Sequence, residues 1–282
     1  MNVPYLSRTE TGADFFIEVY LDFVNERIRI DDYRGNINSV ITRMKALAAQ
    51  YSFTKEIIKS RVEDWPKFLS RGYELEGMIN GYFNGSDAFF MVNYASDDRR
   101  TSDCWKAEDD LLDKIVAQKD AAQPNQLPTG YSMRLANVED CKDLANLYGL
   151  VFQTYPTPMN EPSYIKDVME EGTIFKMIEW NGQVVSAASA EVNETYHNAE
   201  MTDCATLLEH RKYGFMQLLI SALEDELISR NIYFSYSLAR AQSYGMNACL
   251  QKLGYLYSGR LANNCIMNDN FENMNIWVKK LV

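Results

Sequence analysis

A two-domain α+β fold is predicted by three features of this 282-residue sequence. Apolar residues recur at helical spacing in some segments and alternate with polar residues in others. Two Asn-Gly pairs, Asn84-Gly85 and Asn181-Gly182, each lie between β-prone segments, which is the strongest short-range signal of a β-hairpin. A stretch at 117–130 with two prolines and several small polar residues interrupts both patterns and indicates a boundary.

Length and composition agree with two folded domains. Domains usually hold roughly 100 to 200 residues, and 46% hydrophobic residues suffice to bury a core. We therefore predict an N-terminal α+β domain at 1–123, a linker at 124–130 and a second domain at 131–282.

The N-terminal domain reads as alternating strands and helices. The predicted elements are a hairpin formed by 15–22 and 26–31, a helix at 36–51, a strand at 54–60, a short helix at 62–71 and a strand pair around Asn84-Gly85. A charged amphipathic run then leads into the linker.

The second domain has a clearer pattern, with the order β-α-α-β-β-β-α-β-α-β-β. Its predicted elements are strands at 131–137, 173–180, 183–192, 199–207, 231–239, 255–261 and 274–282, and helices at 138–153, 164–171, 213–230 and 239–253. Asn137 and Asp140 stand in capping positions of the first helix, and Gly254 is a natural stop for the last one.

Charge and cysteine content narrow the class of partner. The 28 Lys and Arg residues against 39 Asp and Glu give a net charge of −11. This charge opposes binding to nucleic acid and suits a small cationic substrate, although the general acidity of cytosolic proteins accounts for most of it. Five scattered cysteines and two histidines form no metal-binding spacing, so we expect no metal and a reducing compartment. With neither a signal peptide nor an apolar span, we expect a cytoplasmic protein without a membrane partner.

A strand, a short loop and a helix at 202–227 carry the chemical signal. Arg211, Gly214 and Met216 precede and open the helix, where backbone N–H groups and the helix dipole form a site for an anion. This spacing resembles the Q/R-x-x-G-x-G/A pattern of the GNAT N-acetyltransferases, with Met in place of the final Gly or Ala. The resemblance implies an enzyme with an α/β/α fold, a mixed and mostly antiparallel sheet with helices on both faces, and acetyl-CoA as cosubstrate.

Four further segments narrow the resemblance. VFQTYPTPM (151–159), AEMTDCATL (199–207), the segment 239–265 and MNIWVKKL (274–281) are similar to beta-lysine N-acetyltransferases. That family transfers acetyl from acetyl-CoA to the side-chain amine of beta-lysine and so makes a compatible solute. The alternatives are another small amine, such as a polyamine, a diamine or an amino acid, and a non-catalytic acyl-CoA sensor.

The resemblance also assigns catalytic candidates. Releasing a proton from an amine with a pKa near 10.4 at neutral pH costs about 3 pK units, or roughly 4 kcal/mol, so a carboxylate or a water relay must accept it. Glu200 matches the family's glutamate base, and Asp203 is the alternative, although strand alternation would point it to the opposite face. Leu250 stands where many members carry an acidic tyrosine, so Tyr244 is the substitute candidate.

The remaining candidates are assigned by position. Backbone groups of Ala205, Thr206 and Leu207, the loop Arg211, Lys212, Tyr213, Gly214, Phe215 and Met216, and Ser243 and Asn247 are expected to bind the cofactor. Tyr155, Asn160, Glu161, Asn263, Asn264, Asn275 and Trp277 are candidates for substrate binding, with Arg240 as the carboxylate partner. Each of these residue types also has an ordinary role as a turn former, a solvated charge or a packed aromatic.

The last part of the N-terminal domain echoes the second domain. FLSRGYELEG (68–77) aligns with LQKLGYLYSG (250–259). The alignment matches Gly72, Tyr73 and Gly77 to Gly254, Tyr255 and Gly259, respectively. We hypothesise that this domain is a degenerate copy of the second half of the acetyltransferase fold without the acetyl-CoA loop. Two unrelated helix-to-strand turns are the alternative. The domain is expected either to cover the active site or to form a homodimer.

Overall fold

All strands of both halves belong to one sheet. The computed structural model describes residues 4–118, 126–267 and 270–282. Within these ranges 13 strands pair in the order β1 (Tyr5–Thr11), β2 (Phe15–Asp22), β3 (Arg27–Gly35), β4 (Lys55–Ser60), β6 (Ser86–Tyr94), β5 (Glu74–Phe83), β12 (Leu256–Met267), β13 (Asn270–Lys280), β11 (Phe234–Arg240), β10 (Asn198–Thr206), β9 (Gln183–Asn193), β8 (Ile174–Trp180) and β7 (Tyr131–Leu135). Residues 119–125, which include the start of the predicted linker, lie outside the described residues.

The N-terminal half contains the predicted hairpins, helices and strand. Its elements are β1 (Tyr5–Thr11), β2 (Phe15–Asp22), β3 (Arg27–Gly35), α1 (Ile37–Tyr51), β4 (Lys55–Ser60), α2 (Trp65–Leu69), β5 (Glu74–Phe83), β6 (Ser86–Tyr94), α3 (Asp97–Arg100) and α4 (Trp105–Val116). Strand β1 was not predicted. It is an edge strand with mostly accessible side chains, so it lacks the apolar alternation that marks a half-buried strand.

The C-terminal half follows the predicted order of elements. They are β7 (Tyr131–Leu135), α5 (Cys141–Val151), α6 (Pro162–Glu170), β8 (Ile174–Trp180), β9 (Gln183–Asn193), β10 (Asn198–Thr206), α7 (Phe215–Ser229), β11 (Phe234–Arg240), α8 (Tyr244–Lys252), β12 (Leu256–Met267) and β13 (Asn270–Lys280), with 3₁₀ turns at Val138–Asp140 and Leu208–Tyr213.

Local signals in the sequence proved reliable, but several boundaries were wrong, and β12 extends to Met267 rather than ending at Leu261. The two Asn-Gly pairs form hairpin turns with positive φ at both residues, and the Asp140 carboxylate accepts the Asn137 N–H at 2.8 Å, which confirms the predicted cap. The helix predicted at 239–253 begins only at Tyr244, because Ala239 and Arg240 still pair with β13.

The two halves share an order of elements. In the N-terminal half, β3-α1-β4-α2-β5-β6 has a parallel β3/β4 pair followed by an antiparallel hairpin. In the C-terminal half, β10-α7-β11-α8-β12-β13 repeats this arrangement. Register shifts also recur at matching residues, after Leu75 and Ile79 in β5 and after Tyr257 and Leu261 in β12. The degenerate-copy hypothesis requires this correspondence and stays a prediction.

Two glycines join the half-sheets. Gly77 of β5 pairs with Gly259 of β12. A Cβ added at Gly77 would lie 2.8 Å from the Ser258 carbonyl oxygen and 2.9 Å from the Gly259 Cα, and a Cβ at Gly259 would overlap the Glu76 backbone. Gly259 also has a φ of 145°. The backbones therefore approach more closely than any side chain allows.

A shared core and a buried ion pair reinforce this junction. Ile57, Tyr82 and Phe90 pack in one buried cluster with Tyr236 and Ile276 of the other half. Beside it, the fully buried Lys55 ammonium donates to the Glu76 carboxylate at 2.9 Å and to the Ala262 carbonyl oxygen at 2.6 Å. Glu76 in turn accepts the Ala262 N–H at 2.8 Å. Removing either half would expose this cluster, so the halves depend on each other.

Replacement of Gly259 by alanine should destabilise the whole chain. The added methyl group overlaps the β5 backbone and the left-handed φ adds strain, so we expect a loss of about 3 kcal/mol or more in the free energy of unfolding, measured by urea denaturation. Gly149→Ala, in α5, is the control, because its added Cβ has only an ordinary 3.7 Å contact with the Asn160 Cβ. Equal stability of the two variants would contradict the close crossing.

Candidate active site

Strands β10 and β11 diverge and open a cleft. They pair in parallel only where Asn198–Glu200 face Phe234–Tyr236. Beyond Glu200, β10 bulges away, with a register shift against β9 between Thr202 and Ala205 and a positive φ of 48° at Asp203. The cleft between the diverging strands has a volume of about 540 Å³.

One end of the cleft is the predicted anion loop. The 3₁₀ turn Leu208–Tyr213 leads to Gly214, whose left-handed φ of 68° starts α7. Arg211 Nε donates to the Thr206 carbonyl oxygen at 3.1 Å, which fixes the loop against the end of β10. Gly214, Phe215 and Met216 line the cleft with the first turn of a 15-residue helix. Free N–H groups and the helix dipole suit this end for a phosphate group.

The predicted cofactor residues divide into two groups. Thr206, Arg211, Gly214, Phe215, Met216 and Ser243 line the cleft. Ala205, Leu207, Lys212, Tyr213 and Asn247 do not belong to its lining. Ala205 and Leu207 are buried residues whose backbone contacts β9, at Ala187 and Val185, from the side of β10 opposite to the cleft.

Asn247 was predicted to contact the cofactor, and the structure contradicts this. Its side chain is fully buried, and its amide nitrogen donates to the carbonyl oxygens of Arg240 and Ser243. Its Oδ1 accepts from Asn275 Nδ2 at 2.9 Å and from Trp277 Nε1 at 2.7 Å. Asn275 and Trp277, predicted to bind substrate, are likewise buried and committed to this network. All three connect α8 to β11 and β13.

Three other substrate candidates in the C-terminal half also have structural partners. Asn263 donates its amide to carbonyl oxygens of Asp98, Arg99 and Thr101. Asn264 is buried, and its backbone carbonyl oxygen accepts from Arg27 at 3.0 Å, whereas its side-chain Oδ1 has no hydrogen-bond partner among the described residues. Arg240 lines the cleft, but Glu272 holds its guanidinium through two bonds of 2.6 Å. Glu272 therefore neutralises Arg240, whose role as the carboxylate partner stays a prediction.

Tyr244 and the α5–α6 loop lie at the periphery. Tyr244 is 48% exposed, and its hydroxyl accepts from Gln118 Nε2 at 2.6 Å. It does not line the cleft, so its proposed role as the acid lacks support. Asn160 and Glu161 are exposed residues just before α6. Tyr155 does line the cleft and donates to Asp203 Oδ1 at 3.1 Å.

Three carboxylates converge at the bulge. Glu200 on β10 lies directly across from Glu191 on β9, and Thr202 lies across from Ser189. Alternate residues share a face, so Glu191, Ser189 and Glu200 are on one side of the sheet. Asp203 Oδ2 accepts the Ser189 hydroxyl at 2.6 Å, so its carboxylate reaches that same side. The prediction that Asp203 faces away from Glu200 was wrong, because the bulge interrupts the alternation.

The surroundings of these acids raise their pKa values. Desolvation raises the pKa of Asp203 to about 6, against the lowering effect of the Ser189 and Tyr155 hydrogen bonds. Desolvation, with repulsion from Glu200 and Asp203, raises the pKa of Glu191 to about 8. The Glu200 pKa is raised by desolvation, although Arg29 and Lys59 lower it. Glu191 is an exposed residue, so solvent screens a large part of the effect of desolvation on its pKa. Of the three acids, Asp203 lines the cleft, whereas Glu200 and Glu191 lie beside it on the same face of the sheet and outside its lining. An acid with a pKa of about 6 at the cleft is suited to proton transfer near neutral pH.

Glu191 was not a candidate from the sequence. It becomes visible only through the pairing of β9 with β10, which places it opposite Glu200. A pair of glutamates nine residues apart on either side of a turn could have suggested such a like-charge pair, since hairpin partners are equidistant from their turn.

Known proteins resemble both the cleft region and the whole chain. Residues 141–255 match the family model described as acetyltransferase (GNAT) family. N-acetyltransferase YodP of Bacillus subtilis is 38% identical over 260 residues, covering 92% of this chain and 94% of that protein. Beta-lysine N(6)-acetyltransferase of Methanosarcina mazei is 35% identical over 270 residues, covering 89% of this chain and 100% of that protein.

Among solved structures, the ribosomal-protein-S18-alanine N-acetyltransferase from Escherichia coli aligns with 54% of this chain and 94% of its own, at 16% identity and a TM-score of 0.48. The family model and the named relatives together define an N-acetyltransferase of the GNAT class. Within that class, the chain belongs to the family of the beta-lysine N(6)-acetyltransferases.

Two other features bear on the earlier expectations. None of the helices in the described ranges combines the length and the apolar character needed to cross a membrane. In the same part of the chain, no group of three or more His, Cys, Asp or Glu side chains is arranged to hold a metal ion.

Glu191→Gln should stabilise the protein at alkaline pH. The pKa of Glu191 is about 8 in the folded state and near 4.5 in the unfolded state, so the folded state binds the extra proton and stability falls as pH rises between these values. The glutamine carries no charge, so its melting temperature should exceed that of the wild type by roughly 2–4 °C at pH 8.5 and match it at pH 5.

The control for this change is Glu194→Gln, in the exposed turn after β9. It should leave the melting temperature within error at both pH values. A Glu191→Gln effect of the same size at pH 5 and pH 8.5 would mean that the titration of Glu191 is not its cause.

Proposed function

We propose that this acetyltransferase uses acetyl-CoA to acetylate the side-chain amine of beta-lysine, giving N-acetyl-beta-lysine, a compatible solute. One observation carries the proposal: a single cleft runs from a phosphate-type helix terminus at Gly214 to a cluster of carboxylates at the Asp203 bulge. The first end suits a pyrophosphate and the second suits an ammonium group. The names of the relatives from Methanosarcina mazei and Methanococcus maripaludis support the choice of amine.

The cofactor would lie along the opened edge of β10. Beyond Glu200, the β11-facing edge of β10 has no strand partner in the described part of the chain. An amide group of a pantetheine arm can bond there to the backbone of Thr206, which lines the cleft between the β9-facing Ala205 and Leu207. Arg211 and the start of α7 would bind the pyrophosphate. Met216 lines this part of the cleft, so the cofactor would contact its side chain where other members have Gly or Ala.

The transfer step would take place in a ternary complex. The amine nitrogen attacks the thioester carbonyl carbon, the C–S bond breaks, and the thiolate leaves. The ammonium first loses one proton to a carboxylate, directly or through water. The second proton, which the nitrogen loses as the amide forms, goes to the departing thiolate or to solvent. A thiol with a pKa near 8.5 leaves readily as a thiolate, so the step does not require the tyrosine that Leu250 replaces.

Glu200 and Asp203 are the candidates for the base. Glu200 lies on the face shared by all three acids and accepts a hydrogen bond from Tyr236. Asp203 lines the cleft and has a pKa of about 6, so it is ionised and still basic at neutral pH. We propose Glu200 as the base, with Asp203 holding the ammonium group near the thioester.

A purified-enzyme assay tests the substrate and the base together. Free thiol and product mass would be followed with beta-lysine, alpha-lysine and spermidine, and we expect the highest kcat/KM for beta-lysine. Glu200→Gln should lower kcat by about 10²- to 10⁴-fold without changing the Kd for acetyl-CoA, because only proton transfer is lost. We expect the wild-type rate to fall below about pH 6 as Asp203 becomes protonated, and Asp203→Asn should remove that fall.

Glu194→Gln is again the matched control and should retain wild-type kinetics. Turnover of spermidine but not of beta-lysine would keep the enzyme class and reject the substrate. Acetyl-CoA binding without acetylation of any amine would favour the sensor alternative. A normal rate in Glu200→Gln would remove Glu200 from the role of base.

A further inference from the structure

A charged surface of the N-terminal half faces the carboxylate cluster. Arg29 on β3 pairs with Ile57 on β4, and Lys59 is two residues further along β4, so the three side chains share one face of the sheet. Ile57 packs in the buried cluster that contains Tyr236 of β11. Tyr236 in turn is the parallel partner of Glu200. The face that carries Arg29 and Lys59 is therefore turned toward Glu200.

Side-chain contacts through Tyr82 and Tyr236 connect the charged surface of the N-terminal half with the carboxylate cluster. Lys59 Nζ donates to the Tyr82 hydroxyl at 2.8 Å, and the rings of Tyr82 and Tyr236 are 6.0 Å apart. The positive charges of Arg29 and Lys59 lower the pKa of both Glu191 and Glu200, which places the two groups of charges within electrostatic reach.

A row of aromatic rings bridges the surfaces on the other side. Tyr164 of α6 meets Tyr5 of β1 edge-on at 6.4 Å, and Tyr5 stacks on Tyr20 at 5.3 Å. The Arg29 guanidinium lies over Tyr20, 4.9 Å from its centroid. Tyrosines thus lie on two sides of the region where the N-terminal surface faces the carboxylate cluster.

Asp31 holds the Arg29 guanidinium in place and leaves one of its nitrogen atoms free to donate a hydrogen bond. Its Nε and Nη2 bond the two oxygens of Asp31 at 2.7 and 3.0 Å. Asp31 is also 2.8 Å from Lys59 Nζ, so two cations share one carboxylate and the group has a net charge of +1. Arg29 Nη1 has no hydrogen-bond partner among the described residues, and the side chain is 24% accessible.

The two surfaces have complementary chemistry for one class of ligand. The N-terminal surface offers a positively charged group with a free guanidinium donor, and the C-terminal surface offers closely spaced acids. A simple diamine would satisfy only the acids. A diamino acid satisfies both, because its carboxylate and its ammonium groups lie at different points along one chain.

We propose that Arg29, held in place by Asp31 and Lys59, binds the carboxylate of the amino-acid substrate, while Glu191 faces the ammonium group that is not acetylated. This inference rests on the proposed function and deepens it. The N-terminal half then forms one wall of the substrate site, and Arg29 takes the role that the sequence had suggested for Arg240.

The test compares substrates that differ only in the carboxyl group. Rates would be measured with beta-lysine and 1,4-diaminopentane, which is beta-lysine without its carboxyl group, and with the analogous pair alpha-lysine and 1,5-diaminopentane. In Arg29→Gln, kcat/KM for the amino acids should fall about 10- to 100-fold through KM, because one charged hydrogen-bonding contact is lost. The rates for the two diamines should stay within about threefold of the wild type.

Two further variants separate binding from folding. Arg29→Lys keeps the charge and should recover part of the loss. Arg34→Gln, on the same strand with a side chain that is 75% accessible, should behave as the wild type with every substrate. The Kd for acetyl-CoA and the melting temperature of both Arg29 variants should remain close to the wild-type values.

Each alternative outcome has a definite meaning. Equal losses for amino acids and diamines in Arg29→Gln, or no loss for either, would overturn the assignment of Arg29. A wild-type enzyme that does not distinguish amino acids from diamines would overturn it as well. If the wild type acetylates alpha-lysine but not beta-lysine, the proposed substrate fails, and the alpha-lysine pair still reports on Arg29.

Discussion

The close crossing of β5 and β12 at Gly77 and Gly259 is the constraint on which the rest of the molecule depends. Because neither glycine has a Cβ, the two backbones come close enough for the half-sheets to join and for their hydrophobic residues to form one cluster. This junction turns the face of β3 and β4 that carries Arg29 and Lys59 toward β10 and β11. The charges of Arg29 and Lys59 meet the acids of the cleft for that reason.

The cleft itself results from a local defect in the sheet. The bulge at Asp203 ends the pairing of β10 with β11, and it also rotates the Asp203 carboxylate onto the face of Glu200. One irregularity thus opens space for a ligand and gathers three acids beside it. Like charges held together in this way cost stability, since the pKa of Glu191 and Asp203 is raised. Proteins keep such an arrangement where it serves a reaction.

Buried polar side chains near the cleft are mainly structural. Asn247 bonds to both Asn275 and Trp277 and to two carbonyl oxygens, so it fixes the start of α8 relative to β11 and β13. Removing a residue of this kind would leave several buried groups without partners. Arg240 is similar, because Glu272 neutralises it. A polar residue close to a site is therefore not automatically a ligand in it.

The sequence by itself determined the class of fold and the position of the anion loop. Hydrophobic periodicity, the Asn-Gly turns and the Asn137 cap are local signals, and the order of elements in the C-terminal half follows from them. The loop around Gly214 could be found because its chemistry needs residues adjacent in the chain. Only the tertiary structure decided which distant residues meet there. The face of Asp203 depends on a bulge, Glu191 on the register of β9, and Arg29 on the crossing at Gly77 and Gly259, and each of these involves contacts between residues distant in the chain.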